Sequence, residues 1–163
     1  MLIRPREGDF VLGAGELELM AVEIGAAKAA GADGIVVGAL TGSGAIDRPA
    51  VRRLVDAARP LTVTFHRAFD QVTDQVAALE LLVALGVGRV LTSGGAPTAL
   101  EGAGRLRELV EAAAGRIVIM AGGSVRPDNV AELVRRTGVM EVHARMDDDP
   151  CRARRLRDAV NES

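Results

Sequence analysis

Short apolar runs alternate along the chain with longer segments in which apolar residues recur at helical spacing. The apolar runs predict six strands, at Leu2–Arg4, Gly34–Gly38, Leu61–His66, Arg89–Ser93, Arg116–Ala121 and Glu141–Ala144. The segments after them predict helices at Leu17–Ala30, Pro49–Ala58, Gln75–Leu85, Leu100–Ala114, Pro127–Arg136 and Pro150–Val160. From the second strand onward, the strand starts lie about 26 residues apart, as strand–helix units require. The pattern therefore predicts an α/β fold of parallel strands joined by right-handed crossovers.

Cap residues sharpen the ends of these elements. Glycines follow three of the predicted helices, at Gly31, Gly86 and Gly138, and predict left-handed helix ends. Residue types that cap helix N-termini precede three helices, at Asp47, Thr73 and Asp149. No linker, low-complexity stretch or break in composition divides the chain, so residues 1–163 are predicted to form one domain.

Two architectures fit this alternation, an open doubly wound sheet and a (β/α)₈ barrel. The dinucleotide-binding pattern G-x-G-x-x-G is absent, because neither Gly13-Ala-Gly15 nor Gly42-Ser-Gly44 continues into it. The near-constant repeat length favours the barrel. A complete barrel has eight strands and about 250 residues. We therefore predict an incomplete TIM-type barrel of about six parallel strands, with helices outside, that begins almost inside a strand at Leu2.

Composition indicates what the core is made of, which classes of partner are not favoured and where in the cell the protein is expected. The aromatic content is 2%, with neither Trp nor Tyr, which predicts a core of Val, Leu, Ile and Ala. The net charge of −2 favours neither a nucleic acid nor an anionic membrane as partner. No apolar run approaches the ~18 residues of a membrane span. The one cysteine, Cys151, cannot form an internal disulfide, and the charged N-terminus is unlike a signal peptide, so the predicted location is cytoplasmic.

The strand that ends at His66 predicts a reactive side chain. Strand alternation places His66 on a polar face with Thr62 and Thr64, opposite an apolar face. Barrel enzymes carry their chemistry at the carboxyl ends of strands, and histidine transfers protons near neutral pH. Asp70 is close enough in sequence to orient His66 or to cap the next helix. The structural alternative is a hydrogen-bonded loop histidine, with Arg67 and Asp70 as a local ion pair.

Two arginines follow the first predicted strand. Arg4 and Arg6 point the same way if the extended run continues through Pro5. Paired guanidinium groups at a strand end suit a carboxylate or a phosphate. The alternative is that they pair with nearby carboxylates such as Glu7 or Asp9.

Glycine-rich loops follow two other strands and are candidate anion sites. Their residues are Thr92, Ser93, Gly94 and Gly95 after one strand, and Gly122, Gly123 and Ser124 after the next. Glycines let backbone N–H groups approach an anion, and the second loop is predicted to lead into a helix N-terminus. The alternative is that these glycines only make tight turns.

A metal site is a weaker prediction. Glu141 and His143 share one face of the last strand, and in a closed barrel they would converge with His66. Two histidines and a carboxylate can bind a metal, whereas copper(I) prefers Cys and Met. The methionines and Cys151 show no regular ligand spacing, so no metal ligands are assigned from the residues alone.

Six motifs in order resemble the CutC copper-homeostasis family. They are Ile3-Arg-Pro-Arg6 with Gly8-Asp-Phe10, Gly31-Ala-Asp-Gly34, Thr64-Phe-His-Arg-Ala-Phe-Asp70, Leu91-Thr-Ser-Gly-Gly95, Ala121-Gly-Gly123 and Glu141-Val-His143. The resemblance implies a cytoplasmic TIM-type barrel that handles copper and forms homo-oligomers. It also implies a barrel mouth made of Arg4, Arg6, His66, Asp70, Ser93 and His143.

The resemblance further implies that this barrel is shortened. Relatives usually carry two more βα units before the segment that matches Ile3–Arg6, and the cysteines associated with copper in relatives lie there. We therefore expect either that the protein continues upstream of Met1 or that its open sheet pairs with another chain. Two other functions stay open, a lyase- or isomerase-type barrel enzyme that binds a small anionic metabolite, and an inactive truncated copy.

Overall fold

The computed structural model describes residues 1–145 and 151–161. The chain divides into two compact units, Met1–Val90 and Leu91–Ser163, called unit 1 and unit 2 below. Both units alternate strands with helices, and their strands pair in parallel. The predicted α/β class is therefore confirmed. No helix within the described ranges has the length and apolar character needed to cross a membrane.

Unit 1 carries the first two complete strands. Its elements in chain order are α1 (Ala14–Ala29), β1 (Gly34–Val37), α2 (Arg48–Ala58), β2 (Thr62–Phe65), a 3₁₀ helix (Arg67–Gln71), α3 (Gln75–Leu85) and the first half of β3 (Arg89–Thr92). β1 pairs with β2 so that Val37 lies opposite Phe65. β2 also pairs in parallel with β3, with Thr64 opposite Arg89. This register brings the ends of β1 and β2 side by side.

The core of unit 1 lies between the strands and α1, α2 and α3. In β2 the exposed Thr62 and half-buried Thr64 alternate with the buried Val63 and Phe65, as predicted. The largest fully buried side chains among the described residues include Phe65 as well as Phe69 in the 3₁₀ helix. The prediction of a core made only of Val, Leu, Ile and Ala is therefore wrong, because two of the chain's three phenylalanines are fully buried.

Unit 2 continues the same pattern. After the second half of β3 it contains α4 (Ala103–Ala113), β4 (Val118–Gly122), α5 (Val130–Thr137), β5 (Glu141–His143) and α6 (Arg152–Asn161). β4 and β5 pair in parallel, with Gly122 opposite His143. α4 packs on β4 and α5, and buries Leu106 and Leu109.

The first predicted strand is much shorter than expected. Leu2 forms only an isolated parallel bridge to Val36, with Ile3 N donating to Val36 O at 2.9 Å. Pro5 has no N–H to donate, and the chain bends from that residue onward. The described residues therefore contain five strands rather than the predicted six.

Helix ends differ from the predictions where a local turn intervenes. Asp47 caps α2 as predicted, but Asp74 rather than Thr73 caps α3. α4 begins three residues late because Thr98 and Glu101 form a hydrogen-bonded turn before it. The predicted start signal at Asp149 lies outside the described residues.

Candidate functional site

His66 directly follows β2 and is buried, with 8% of its surface exposed. The parallel register places Gly38, the residue after β1, beside it. A Cβ built on Gly38 would lie 2.2 Å from Cε1 and 2.5 Å from Nδ1 of the imidazole, far inside any contact distance. Only a residue without a side chain leaves room for the ring at this position, so Gly38 and His66 form one packed pair.

A backbone hydrogen bond fixes the orientation of the imidazole. The N–H of Ala68 donates to Nδ1 of His66 at 3.1 Å, which caps the 3₁₀ helix. Nδ1 therefore carries no proton, and the neutral ring holds its N–H on Nε2. Within residues 1–145 and 151–161 no protein group accepts a hydrogen bond from Nε2.

Phe10 and Arg4 complete the surroundings of His66. The ring centroids of Phe10 and His66 lie 4.9 Å apart. The Cζ atom of Arg4 lies 4.9 Å from the Phe10 centroid, a cation–π contact, and its guanidinium donates to Gly8 O at 2.9 Å. Burial, followed by the positive charge of Arg4, lowers the pKa of His66 from 6.5 to about 4. His66 is therefore neutral at physiological pH, without the near-neutral titration on which its predicted proton transfer rested.

The low pKa of His66 predicts a specific dependence of stability on pH. The unfolded chain takes up a proton near the ordinary pKa of 6.5, whereas the folded protein resists it down to about 4. The stabilisation is fully present above about pH 6.5 and is lost as the pH falls toward 4, by roughly 3 kcal/mol in all. Urea unfolding at a series of pH values should show this loss. His66→Asn, which keeps an acceptor for Ala68 N–H, should flatten the profile between those limits; parallel profiles would contradict the assignment.

Arg6 is held by carboxylates of its own loop. It pairs with Asp9 at 2.8 Å and with Glu16 at 2.6 Å, and Glu16 also accepts from Gly13 N at 2.7 Å. These bonds raise the pKa of Arg6, lower that of Asp9 through Arg6, and lower that of Glu16 through Gly13 N–H and then Arg6. Arg6 therefore holds the loop that carries Phe10 in place. This is the pairing with nearby carboxylates that the sequence offers as the alternative to anion binding.

Arg4 has a different environment from Arg6. It contacts Gly8 O and the face of Phe10, and no carboxylate pairs with it in the part of the chain that the structure describes. Asp70, by contrast, accepts from Arg67 Nε at 2.7 Å, and its side chain is only 12% exposed. No hydrogen bond joins His66 to Asp70 among the described residues.

The loop after β3 is tightly packed. Thr92 and Ser93 are fully buried, Thr92 Oγ1 accepts from Gly94 N at 2.9 Å, and Ser93 Oγ donates to Ala96 O at 2.5 Å. Gly94 and Gly95 both have positive φ angles, of 72° and 77°. The Gly94 amide is thus committed to the turn, as in the tight-turn alternative.

The loop after β4 leads into α5, which begins at Val130, three residues later than predicted. Gly122 belongs to β4 itself, Gly123 O accepts from Ala99 N at 2.9 Å, and Ser124 O accepts from Asn129 Nδ2 at 2.9 Å. The side chain of Asn129 builds a turn that delays α5 until Val130.

The side chains considered for a metal site do not form one among the described residues. His143 is exposed at the end of β5, and Glu141 lies opposite Met120 of β4. No three His, Cys, Asp or Glu side chains come together to hold a metal ion in residues 1–145 and 151–161. Of the soft donors, Met20 is buried in the core, Met140 and Cys151 are exposed, and Met146 lies outside the described residues. The described residues therefore do not fit a resident copper ion.

Two contributors to the site, Phe10 and Gly38, were not predicted from the sequence. Phe10 stands in the motif Gly8-Asp-Phe10, but the motif does not say that its ring covers His66. Gly38 ends the strand before His66, and residues at neighbouring parallel strand ends lie side by side. This rule is the feature of the sequence from which the position of Gly38 beside His66 could be predicted.

The family model and the curated relatives agree on one family. The CutC family model matches residues 1–147. A CutC family protein of Caulobacter vibrioides is 53% identical over 142 residues, which are 87% of this chain and 58% of the relative. The human copper homeostasis protein CutC homolog is 47% identical over 159 residues, which are 98% of this chain and 56% of the relative.

A solved structure supports the same fold. The putative copper homeostasis protein CutC from Streptococcus agalactiae superposes with a TM-score of 0.84 at 38% identity, covering 87% of this chain and 70% of that one. The chain spans less than two thirds of the length of the curated relatives, which agrees with the prediction of an incomplete TIM-type barrel. On the family model and these identities, the chain belongs to the CutC family.

Proposed function

We propose that this chain serves copper homeostasis as part of a cytoplasmic CutC protein. The observation that carries the proposal is family membership, together with the copper-homeostasis names of relatives 47% identical over nearly the whole chain. The single cysteine, Cys151, supports a reducing compartment. Exposed apolar side chains on α1, Leu19 and Val22, support association into a homo-oligomer.

In this proposal, copper is the metal whose level the protein helps to control, and it is not a cofactor of the described residues. The described side chains supply no cluster of metal ligands, so no copper ligand is assigned to them. The comparisons favour neither an inactive copy nor a lyase or isomerase. The relatives with about 50% sequence identity to this chain carry CutC or copper-homeostasis names.

A growth assay tests the copper proposal. In a bacterium whose own CutC protein has been deleted, this chain should shift growth at raised copper toward that of the parent strain. The full-length Caulobacter vibrioides relative is the positive control. If the relative restores the copper response while this chain, folded and expressed at the same level, changes nothing, the proposal is wrong.

We further propose that unit 1 binds a small anion at Arg4. The observation in its favour is a guanidinium that lies over Phe10, the ring packed against the buried neutral His66, with no carboxylate paired to it in the described residues. An exposed arginine that is positioned by an aromatic ring and not neutralised is preorganised for an anionic ligand.

Anion binding at Arg4 should appear as thermal stabilisation. Sodium phosphate, sulfate and acetate are compared with sodium chloride at equal ionic strength. A ligand at ten times its Kd stabilises by about 1.4 kcal/mol, a measurable rise in Tm. Arg4→Gln should abolish the rise, whereas Arg52→Gln, which removes an exposed charge on α2, should leave it unchanged. A rise that survives Arg4→Gln would refute the assignment.

A further inference from the structure

We propose that the site around His66 binds a carboxylate, which accepts hydrogen bonds from Nε2–H of a neutral His66 and from the guanidinium of Arg4. The inference rests on the proposed anion-binding role of Arg4 and adds to it the ligand class and the part played by His66. His66 is then a hydrogen-bond donor to the ligand instead of the general acid or base predicted from its strand-end position.

The first support is an unsatisfied buried donor. More than nine tenths of His66 is buried, and Nδ1 is committed to Ala68 N–H at 3.1 Å. Nε2–H has no acceptor among the described residues. Buried polar groups in folded proteins nearly always find a partner in protein, water or ligand. An acceptor atom on a bound ligand supplies that partner.

The second support is the balance of charge around the ring. Arg6 is neutralised by Asp9 and Glu16, and Arg67 by Asp70. Arg4 is left as the cation without a carboxylate in this part of the described structure. One guanidinium and one neutral N–H match a monoanion better than a phosphate dianion, which needs more compensating charge.

The third support is that the geometry keeps His66 in one tautomer. A proton on Nδ1 would face the N–H of Ala68, so protonation of the ring would break the cap of the 3₁₀ helix. Gly38 and Phe10 pack against the ring and leave it little freedom to turn over. A neutral histidine held in this way donates a hydrogen bond to an oxygen without exchanging its proton.

Acetate is the probe for this inference, and its affinity is measured by NMR titration of the whole chain. His66→Asn keeps an acceptor for Ala68 N–H but lacks the donor at Nε2, so the fold should persist by circular dichroism while acetate affinity falls at least tenfold. Acetate should also bind more tightly than inorganic phosphate. Arg52→Gln is the charge control.

The pH dependence separates a neutral donor from a charged one. The charged groups on segments packed against His66 are Arg4, Arg6, Glu7 and Asp9, and the pair Arg67–Asp70. With a pKa of about 4, His66 itself stays neutral between about pH 5.5 and about pH 8. The acetate affinity should therefore stay constant over this range, whereas an imidazolium donor would lose affinity above about pH 6.5.

The possible results separate this inference from the role of Arg4. If Arg4→Gln abolishes acetate binding but His66→Asn does not, the anion site stands and the inference about His66 is overturned. Tighter binding of phosphate than of acetate, or a loss of affinity above about pH 6.5, would also overturn it. If neither variant alters the binding of acetate or phosphate, both proposals fail together.

Discussion

Gly102→Ala should destabilise the protein by more than about 3 kcal/mol, because unit 2 has no space for a side chain there. A Cβ on Gly102 would lie 1.9 Å from the carbonyl oxygen of Ser93, and backbone cannot yield as a flexible side chain can. Gly102 has φ of −83°, which any residue adopts, so the expected loss is purely steric. Urea unfolding followed by circular dichroism measures the free energy of unfolding.

Gly104→Ala is the matched control, two residues further along. Gly104 lies inside α4, and a Cβ there would meet no heavy atom within 4 Å. Because Gly104 is the second residue of α4, alanine there should stabilise by at most about 1 kcal/mol relative to glycine. If the two variants unfold at the same urea concentration, the loop after β3 is not packed against Gly102 as described.

Gly38→Ala should destabilise unit 1 by about 1–3 kcal/mol and should also displace the imidazole of His66. The new Cβ would lie 2.2 Å from the imidazole Cε1, while Phe10 and the Ala68 N–H hold the ring on other sides. Once displaced, the ring loses its burial, so the pKa of His66 should return toward 6.5. The pH series of urea unfolding reports both changes.

The control for Gly38→Ala is Gly25→Ala in α1. Gly25 is exposed, and a Cβ there would meet no heavy atom within 4 Å, so this variant should be as stable as the parent or more so. Its pH profile should match that of the parent protein. A Gly38→Ala protein that keeps both the stability and the pH profile of the parent would show that His66 does not pack against Gly38.

Element order was predictable from sequence, because buried strands and amphipathic helices differ in period. α3 was predicted with its observed bounds, Gln75–Leu85, since a glycine in the left-handed region ends it at Gly86. The strand at Leu2–Arg4 was overestimated because an apolar run does not reveal whether its hydrogen bonds continue. α4 and α5 started later than predicted because side chains of Thr98 and Asn129 shape turns that periodicity cannot detect.

The candidate site was predictable only in outline. The sequence predicts His66 because strand ends carry function in this fold, and it predicts Arg4 and Arg6 because they follow a strand. For each arginine the sequence allows either anion binding or pairing with nearby carboxylates. Only the side-chain geometry shows that Arg6 pairs with Asp9 and Glu16, whereas Arg4 lies over Phe10. The neutral state of His66 depends on burial, on the Ala68 N–H and on Arg4, which no local pattern reveals.

The most direct test is the protonation state of His66 in solution. Long-range ¹H–¹⁵N correlation of the histidine rings at about pH 7 distinguishes the two neutral tautomers from imidazolium. His143, the chain's other histidine, is assigned by its substitution to Gln. We expect His66 to be neutral, with its proton on Nε2 and none on Nδ1, and to remain so down to about pH 5. A proton on Nδ1, or an imidazolium that titrates near pH 6.5, would contradict the described site.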